Sequence, residues 1–302
     1  MAFPFNLKQV RRNLDFYDIK KDLPNFESIK DATNELQIRQ KALIKEGFHN
    51  LAWDIAHCVT ERRCISPACP QCVRIHRRGF YHAATALSKQ YDLVNQRIVT
   101  LIYYSEAMTN EGLMNFDPKQ LTGRAYKQLV RCGFQNPVIG GLELDYHEDI
   151  KRWIPHFHLL VVNDTEPLDT LRKKHFKKEK RPTSDNPPTS YISRSMMVQE
   201  LKHPPEQLSY LCKQRWQSIC AYIDIVTGKR RTKKYRLELY MFILSLAVLD
   251  SYTFSDLMLT INNVASVAPN AGDIFCSFVT SSRNFFAVVC TSIPSTVNVL
   301  FQ

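Results

Sequence analysis

Apolar and polar positions follow one another along this chain in a pattern that predicts strands separated by helices. Residues 97–104 are β-branched or aromatic at most positions, which predicts a buried strand. Residues 138–146 and 156–162 have the same character and flank a short charged segment, a pattern typical of a β-hairpin. A further strand is expected within 191–198. These segments together predict a β-sheet.

Helical spacing of apolar residues occurs between and beside these strands. Helix formers dominate 27–45, and apolar residues recur every three or four positions in 80–91. The segment 117–133 opens with Asp-Pro and closes with Gly, which are the signals of a helix start and a helix end. A short helix is expected at 168–176, and a longer one at 204–223, where two prolines occupy the first turn.

This order of elements predicts an α+β fold, with an antiparallel or mixed central sheet and helices packed on it. The composition divides the chain into a helical N-terminal region (1–57), a cysteine cluster with a basic helix (58–92), a sheet-containing core (93–236) and a C-terminal region (237–302). Charged residues become rare in the C-terminal region. The helix expected there could cover the sheet, mediate self-association or contact a partner.

The charge of the chain is strongly positive and unevenly distributed. Forty Lys and Arg residues against 29 Asp and Glu give a net charge of +11, and only one basic residue, Arg283, follows residue 236. Such a field favours a polyanionic partner such as nucleic acid, although a solubilising surface explains it equally well. Three arginines in the basic helix, Arg74, Arg77 and Arg78, could follow a phosphate backbone or could simply be solvated.

Several classes of protein are not expected from this composition. Low Gly and Pro contents, 9 and 15 residues, argue against a collagen-like or a wholly disordered chain. Apolar runs are shorter than the roughly 18 residues of a membrane span, so no membrane partner is expected. The N-terminus does not follow the order of a secretory signal, which predicts a reducing cytoplasm. Nine cysteines, an odd number, then argue against a disulfide scaffold.

Four of the nine cysteines fall within fifteen residues, at Cys58, Cys64, Cys69 and Cys72. The C-x4-C-x2-C spacing of the last three can place three thiolates around a tetrahedral Zn²⁺ ion. Either Cys58 or His76 could supply the fourth ligand. The sequence therefore predicts a structural zinc site, with its fourth ligand left open.

Two histidines separated by one residue lie in the second strand of the predicted hairpin. His156 and His158 share a face, because side chains alternate along a strand. On the preceding strand Glu143 and Asp145 also share a face, and a turn centred near residues 150 and 151 would place Glu143 opposite His158 and Asp145 opposite His156. Alone, such a histidine pair is more often structural. With a carboxylate it suits Mg²⁺ or Mn²⁺ acting on a phosphodiester, although Zn²⁺ also fits.

A tyrosine on the helix predicted from residue 204 adds a candidate nucleophile. Tyr210 has Glu206 one turn before it and Lys213 one turn after it, so the three side chains can face the same way. A phenol with a pKa of about 10 is a poor nucleophile at neutral pH, and a nearby cation would help it to ionise. Tyr210 could equally be a core or a surface residue.

The order of these pieces resembles the HUH endonuclease superfamily. The strand RIVTL, the segment GLELDY, the hairpin partner PHFHLLV and the helix with Y-x-x-K carry the resemblance, which spans roughly residues 58–220. RRC and CPQC are similar to an R-x-C-P-x-C segment of plasmid initiators. Because the tyrosine follows the histidine pair, the chain is most similar to the rolling-circle replication initiators of small plasmids; relaxases have the reverse order.

The resemblance implies a ferredoxin-like HUH nuclease core in 93–236 that nicks and joins single-stranded or hairpin DNA at an origin. His156 and His158 match the paired metal ligands of the family, and Glu143 matches the acidic ligand. Tyr210 matches the nucleophile, which becomes linked to a 5′ phosphate and leaves a free 3′ hydroxyl for synthesis. Glu206 matches a carboxylate that activates water in some initiators, although it could instead favour the helix N-terminus.

Two other functions fit the same residues. A single-strand DNA transposase of the HUH type would use the same catalytic groups on paired element ends. A non-catalytic zinc-containing protein could instead bind nucleic acid, with Tyr103, Tyr104 or Trp153 stacking on bases. The sequence contains no Walker-type ATP-binding run, so host replication proteins are possible partners of an initiator. The oligomeric state is not predicted.

Overall fold

The computed structural model describes residues 23, 26–162, 165–180, 194–228, 230–261, 276–278 and 288–290. They form an α+β fold in which helices flank a mixed sheet. The helices are α1 (Ile29–Lys45), α2 (His49–Ala56), α3 (Pro70–Ser88), α4 (Asn110–Met114), α5 (Pro118–Arg131), α6 (Thr165–Lys178), α7 (Pro204–Tyr210) and α8 (Leu239–Asp250). The strands are β1 (Gln96–Ile102), β2 (Val138–His147), β3 (Arg152–Val162), β4 (Met196–Glu200), β5 (Ser218–Ile223), β6 (Arg230–Tyr235), β7 (Met258–Ile261), β8 (Cys276–Phe278) and β9 (Val288–Cys290).

The central sheet contains seven strands in the order β4-β1-β3-β2-β5-β6, and β7 also pairs with β2. All of these pairings are antiparallel except that of β2 with β5, which is parallel. The sheet is therefore mixed, and the expected α+β class is confirmed. Strands β8 and β9 pair with each other in a second, two-stranded sheet.

The central strands present two different faces, because their side chains alternate. One face, here called the site face, carries the histidine pair at one end. Its other end is apolar: Ile98, Ile139 and Leu160 pack against Phe80 and Ala84 of α3. The site face is thus half hydrophobic core and half polar cleft, and α3 covers the core half.

The opposite face of the sheet is apolar along its length. Val99, Phe157 and Leu159 belong to the larger core cluster, which also includes Leu121 and Leu129 of α5. Burial of this face against helices supplies most of the driving force for folding, because hydrophobic stabilisation scales with the apolar area removed from water. The polar residues of the site face are consequently held on a rigid support.

The expected helices over 27–45 and 117–133 are confirmed. Ser28 and Asp31 form a capping box at the start of α1. Asp117 accepts hydrogen bonds from the first backbone amides of α5, and Gly133 follows that helix with a φ of +92°. In each case local capping chemistry sets the helix boundary.

Helix α3 begins at Pro70, ten residues before the apolar stripe that predicts it, so it includes the last cysteine of the cluster. This start changes the interpretation of the three arginines. Arg74 and Arg78 are buried, and Arg77 pairs with Glu27 while its guanidinium lies over Phe26. Arg74 and Arg77 therefore anchor the N-terminal segment to α3, and the three arginines do not form an exposed track for DNA.

The expected helix over 204–223 is wrong in its second half. Helix α7 ends at Tyr210, and the segment after it continues as strand β5. Ile219 and Ile223 have helical spacing with earlier apolar residues, but β-branched side chains favour extended backbone and β5 gains hydrogen bonds from β6. Between the helix and β5 the chain turns at Gln214, whose φ is +49°.

The hairpin of β2 and β3 is confirmed, but its predicted register is wrong by two residues. Glu143 lies opposite His156, and Gly141 lies opposite His158. The turn is therefore centred between residues 149 and 150. A shift of two residues leaves every side chain on the face predicted for it, because the strand period is two.

Most of the basic sequence before the change of composition at residue 236 forms strand β6 (Arg230–Tyr235) of the sheet. Strand β6 is an exposed edge strand, and α8 after it is largely buried. Strand β7 then pairs with β2, so residues up to Ile261 contribute to the central sheet. The fall in charge after residue 236 thus marks the passage from an exposed strand to a buried helix. The strand expected within 191–198 is observed as β4, and residues 191–193 lie outside the described residues.

Candidate active site and cysteine cluster

Two acidic and two histidine side chains converge on the polar half of the site face. The ligand atoms of Glu143, His156 and His158 all lie within 4.8 Å of one another. His156 Nε2 is 3.9 Å from Glu143 Oε2 and 3.9 Å from Asp145 Oδ2. All four side chains are buried. Strand alternation and hairpin pairing together produce this cluster.

Hydrogen bonds at Nδ1 orient both imidazole rings. His158 Nδ1 is 3.0 Å from Thr100 Oγ1, and His156 Nδ1 is 3.3 Å from the Ile154 carbonyl oxygen. Each Nε2 is consequently left to face the cluster. Metal-binding histidines use their second ring nitrogen in this way, which fixes the tautomer and the orientation of the ring.

Two atoms of this cluster suggest what it binds. Among the described residues, His158 Nε2 and Glu143 Oε2 are buried and have no hydrogen-bond partner. Buried polar atoms without partners are costly, and here two of them lie in the same group of potential ligands. One carboxylate and two imidazoles fit a divalent cation, and such an ion would satisfy both atoms. The Glu/His/His group is thus a candidate metal site.

The electrostatics of the group favour binding of a cation. Burial raises the pKa of Glu143, because a carboxylate in a dry site lacks solvation, and Asp145 beside it adds to this effect. Burial also lowers the pKa of His158 well below its usual value, and the nearby lysines and His156 lower it further. A neutral imidazole is the form that binds a metal.

Tyr210 lies beside the Glu/His/His group. Its ring centroid is 5.0 Å from that of His158, and 38% of the residue is exposed to solvent. Lys213 is also close: its Nζ is 5.4 Å from the centre of the Tyr210 ring, and its backbone N–H donates to Glu143 Oε1 at 2.9 Å. Lys213 reaches this position from the turn after α7, not from the helix.

Glu206 is placed differently from the other predicted residues. It is exposed in the first turn of α7, one turn before Tyr210, and its backbone carbonyl accepts a hydrogen bond from Ser209 Oγ. Among the described residues, no hydrogen bond or ion pair joins it to the Glu/His/His group, and the residue is exposed to solvent. Both interpretations of Glu206, as a base and as a favourable charge at a helix start, fit this position.

Lys234 of strand β6, which is not among the predicted site residues, completes the site. Lys234 Nζ is 2.7 Å from Asp145 Oδ2 and 3.4 Å from the Tyr210 hydroxyl. Burial opposes the charged form of Lys234, but Asp145, Tyr210 and Glu143 outweigh this effect and raise its pKa. Strand alternation across 230–235 could have indicated that every second residue of this strand points to the site face.

The two carboxylates have different partners. Asp145 accepts hydrogen bonds from Lys234 and from the backbone N–H of Gln217, at 3.1 Å in the latter case. Glu143 accepts from Lys213 through one oxygen and keeps the other free among the described residues. Glu143 is therefore the better ligand, and Asp145 anchors the lysine next to the tyrosine.

A glycine lets the segment that follows Tyr210 lie close to the sheet. Gly141 is opposite His158, and a Cβ atom added to it would lie 2.8 Å from the carbonyl oxygen of Leu211. The chain just after Tyr210 thus packs directly on the backbone of β2, where even a methyl group does not fit. The Gly-Gly pair at the start of GGLELDY is the sequence signal for this contact.

If Tyr210 is the nucleophile that the resemblance implies, we expect Gly141→Ala to impair strand cleavage, because the added methyl group moves the segment that carries Tyr210. A displacement of this size next to reacting groups costs on the order of 10- to 100-fold in rate. Gly123→Ala on α5 is the matched control, because a Cβ there meets nothing within 4 Å. The measurement is the rate of covalent product formation on a stem-loop DNA. Equal rates for Gly141→Ala and Gly123→Ala would contradict the role of this contact.

The four clustered cysteines form a group compatible with zinc. The Sγ atoms of Cys58, Cys64, Cys69 and Cys72 lie within 4.8 Å of one another. Cys58 Sγ and Cys64 Sγ are 3.5 and 3.7 Å from Cys72 Sγ. Tetrahedral zinc with bonds of about 2.3 Å separates its sulfur ligands by about 3.8 Å. Hydrogen bonds from the other three thiols lower the pKa of Cys58, so a thiolate, the form that binds metal, is favoured there.

Cys58, not His76, is the fourth member of this cluster. Helix α3 carries His76 one turn beyond Cys72, where its Nδ1 is 3.4 Å from Cys212 Sγ and its ring stacks on Phe254 at 4.2 Å. Burial lowers the pKa of His76 to about 3, so this imidazole is neutral. The alternative that gave His76 a place at the zinc is therefore not supported.

The cysteine cluster is connected to Tyr210 through α3. Cys69 is the N-cap residue of this helix and Cys72 lies in its first turn. Further along, the guanidinium of Arg77 donates to the backbone carbonyl of Ser209 at 3.2 Å, one residue before Tyr210. A metal ion that fixes the start of α3 would thus also help to fix the position of α7.

Cys64→Ser is expected to remove one zinc ion per chain and to lower the melting temperature. A loss of about 4 kcal/mol, typical when a structural metal is lost, corresponds to roughly 10 °C for a chain of this size. Zinc content by mass spectrometry and thermal unfolding are the measurements. Cys220→Ser is the control, because Cys220 is a free cysteine outside the cluster. A Cys64→Ser protein with unchanged zinc content would exclude the site.

The aromatic residues suggested for base stacking are not available for that role. Tyr103, Tyr104 and Trp153 are all buried, and the Tyr103 hydroxyl donates to Gln128 at 3.0 Å. These rings therefore belong to the core. A binding protein without catalytic activity would have to stack bases on other rings.

None of the described helices is long and apolar enough to cross a membrane. No family model, no curated protein and no solved structure matches the sequence or the fold.

Proposed function

We propose that this protein nicks and joins single-stranded DNA through a metal-dependent mechanism with a tyrosine nucleophile, as rolling-circle initiators of the HUH type do. One observation carries the proposal. An accessible phenol lies 5.0 Å, ring to ring, from one histidine of a buried Glu/His/His group that has two unpartnered ligand atoms. Core packing alone explains neither the free atoms nor the position of Tyr210.

The catalytic ion is proposed to be Mg²⁺ or Mn²⁺, held by Glu143, His156 and His158. When bound, a divalent ion supplies positive charge next to a phosphate oxygen. The chain itself orients the site: Thr100 holds the His158 ring, and the Ile154 carbonyl holds the His156 ring. Oxygen and imidazole donors with positions left for phosphate and water suit these metals.

Tyr210 is proposed to attack the scissile phosphorus through its phenolic oxygen. The bond between this oxygen and phosphorus forms while the bond from phosphorus to the 3′ oxygen breaks. The phenol loses its proton, and the departing 3′ oxygen gains one to become a hydroxyl. Attack of that hydroxyl, or of the hydroxyl of another strand end, on the phosphotyrosine reverses the step and rejoins the DNA.

Two lysines favour this attack. Burial raises the pKa of Tyr210, and Lys234 partly offsets this effect because its ammonium is 3.4 Å from the hydroxyl. Lys213 adds positive charge over the ring. Both charges also oppose the negative charge that builds up on the phosphate during the reaction.

Glu206 is proposed to help end the reaction. Its carboxylate is exposed one helical turn before Tyr210, so it can accept a proton from a water molecule that attacks the phosphotyrosine. In that step the new oxygen–phosphorus bond replaces the bond to Tyr210, which takes up a proton. The role itself is carried over from the family that the sequence resembles.

The basic edge strand supports a DNA partner. Lys234 of β6 reaches into the site, and its ammonium beside Tyr210 suits a phosphate group. Arg231 and Lys233 are exposed on the other side of the same strand, where Arg231 pairs with Asp224. We propose hairpin or single-stranded DNA at a plasmid origin as the substrate, with host replication proteins as partners for synthesis.

The test is a cleavage assay on stem-loop oligonucleotides with Mn²⁺, resolved on a denaturing gel. A label on the 3′ side of the nick is expected to migrate with the protein, and a label on the 5′ side is expected on a free fragment that a polymerase extends. Scrambled oligonucleotides without the hairpin are the matched substrates. Binding without any covalent product would favour a non-catalytic nucleic-acid-binding protein instead.

A further inference from the structure

A cavity of about 490 Å³ opens beside the candidate active site, between α1, the start of α3 and the turn after α7. This volume lies within the range of about 300–1,000 Å³ that is usual for small-ligand pockets. Lys213 lines it and also donates its backbone N–H to Glu143. The cavity therefore adjoins the candidate active site.

A buried amide in the wall of this cavity lacks partners. Gln214 is 1% exposed, and among the described residues its Oε1 has no hydrogen-bond partner. Its Nε2 has the sulfur of Cys212 at 3.9 Å, which is a weak acceptor. The backbone of Gln214 has a φ of +49°, a region that only a few per cent of non-glycine residues adopt. A ligand with an adjacent donor and acceptor would satisfy both ends of this amide.

Both glutamates that line the cavity are paired, Glu27 with Arg77 and Glu35 with Arg39 and Arg236. Lys213 and Arg215 line it as well, and their positive charge suits a phosphate. Phe26 adds an apolar ring to the lining. The cavity thus suits a planar ligand that has hydrogen-bonding groups on one edge and a phosphate beside it.

From these observations we infer that the cavity binds one unpaired nucleobase next to the phosphate that Tyr210 attacks. The inference rests on the proposed function. Every base carries an adjacent donor and acceptor on its pairing edge, and this edge is free only when the base is unpaired. Gln214 would then contribute to the selection of single-stranded over double-stranded DNA, because a paired base cannot offer that edge to its amide.

The test compares two DNA strands of equal length in a Tyr210→Phe background, so that it depends on binding alone. One strand is oligothymidine, and the other has the same phosphates without bases. Gln214→Met keeps the shape of the side chain but removes the amide. We expect it to weaken binding of oligothymidine about tenfold and to leave binding of the abasic strand unchanged, because one buried hydrogen-bonded pair is lost.

Two further variants keep the result interpretable. Gln214→Asn readily adopts the left-handed backbone and withdraws the amide by one methylene, so it should fold and show the same selective loss. Arg215→Ala changes an exposed residue of the same wall and should weaken binding of both strands equally, if at all. Retained zinc content and circular dichroism check that each variant is folded.

Photocrosslinking identifies the position of the base directly. Oligothymidine that contains 4-thiothymidine is expected to crosslink to the peptide that contains Phe26 or to residues 213–215. Crosslinks only elsewhere, or equal losses for both strands in Gln214→Met, would overturn the inference. A covalent adduct at Tyr210 could still form in that case, so the proposed function would be judged separately.

Discussion

Tyr210→Phe is expected to abolish the covalent protein–DNA product, with a loss of at least about 1,000-fold in its rate of formation. Removing a nucleophile typically costs this much or more, because residual chemistry then depends on binding and electrostatics alone. The phenyl ring can still pack 5.0 Å from His158, and Lys234 keeps its contact with Asp145. Binding of single-stranded DNA, measured by fluorescence anisotropy, should therefore remain within about twofold.

The matched control for this variant is Tyr235→Phe. Tyr235 is an exposed tyrosine on β6, next in sequence to Lys234, and Lys233 lies over its ring. Its hydroxyl has no part in the proposed chemistry, so the rate of product formation should be unchanged. If Tyr210→Phe forms product as fast as Tyr235→Phe does, the nucleophile is another residue.

Replacing His156 and His158 together with alanine is expected to abolish both Mn²⁺ binding at the site and cleavage of DNA. The pair supplies two of the three candidate ligands, and even residues that only orient a metal ligand are worth about 10- to 100-fold. A loss greater than 100-fold in cleavage is therefore expected. Calorimetric titration with Mn²⁺ and the denaturing gel are the two measurements.

This double variant and Tyr210→Phe separate the two halves of the proposal. Tyr210→Phe should still bind Mn²⁺, and the double histidine variant should still contain zinc in its cysteine cluster. His49→Ala, at an exposed position in the first turn of α2, is the matched histidine control. Cleavage by the double variant at the rate of His49→Ala would show that the buried histidines are structural.

Helix α3 connects the cysteine cluster to the candidate active site. Its first turn carries Cys72, its middle carries Arg77, which bonds to Ser209, and its end packs under the apolar half of the site face. Loss of a metal ion from the cysteine cluster is therefore expected to change the position of Tyr210 through this helix.

The face shared by the metal-type residues could be predicted, but their pairing could not. His156, His158 and Glu143 fall on one face because strand side chains alternate, and this holds for any register that keeps the parity. Which residue lies opposite which depends on the turn, where Lys151 adopts a φ of +51°. A turn conformation of this kind leaves little signal in a sequence that lacks glycine or asparagine at that position.

The position of Tyr210 shows a different limit. Helical spacing correctly brings Lys213 near Tyr210, although the helix ends between them. The end of α7 depends on strand β5, which forms only because β6 and β2 provide partners. A local pattern cannot contain this information, since both partners are distant in sequence.

By itself the sequence determined the α+β class, the shared face of Glu143 with the histidine pair, and the cysteine cluster. All three depend on spacing within a few residues, where period and reach restrict the geometry. Only the tertiary structure decided that Cys58 completes the cluster, that Lys234 reaches the tyrosine, and that Gln214 faces a cavity. These features arise from contacts between segments far apart in the chain, which depend on how the whole core packs.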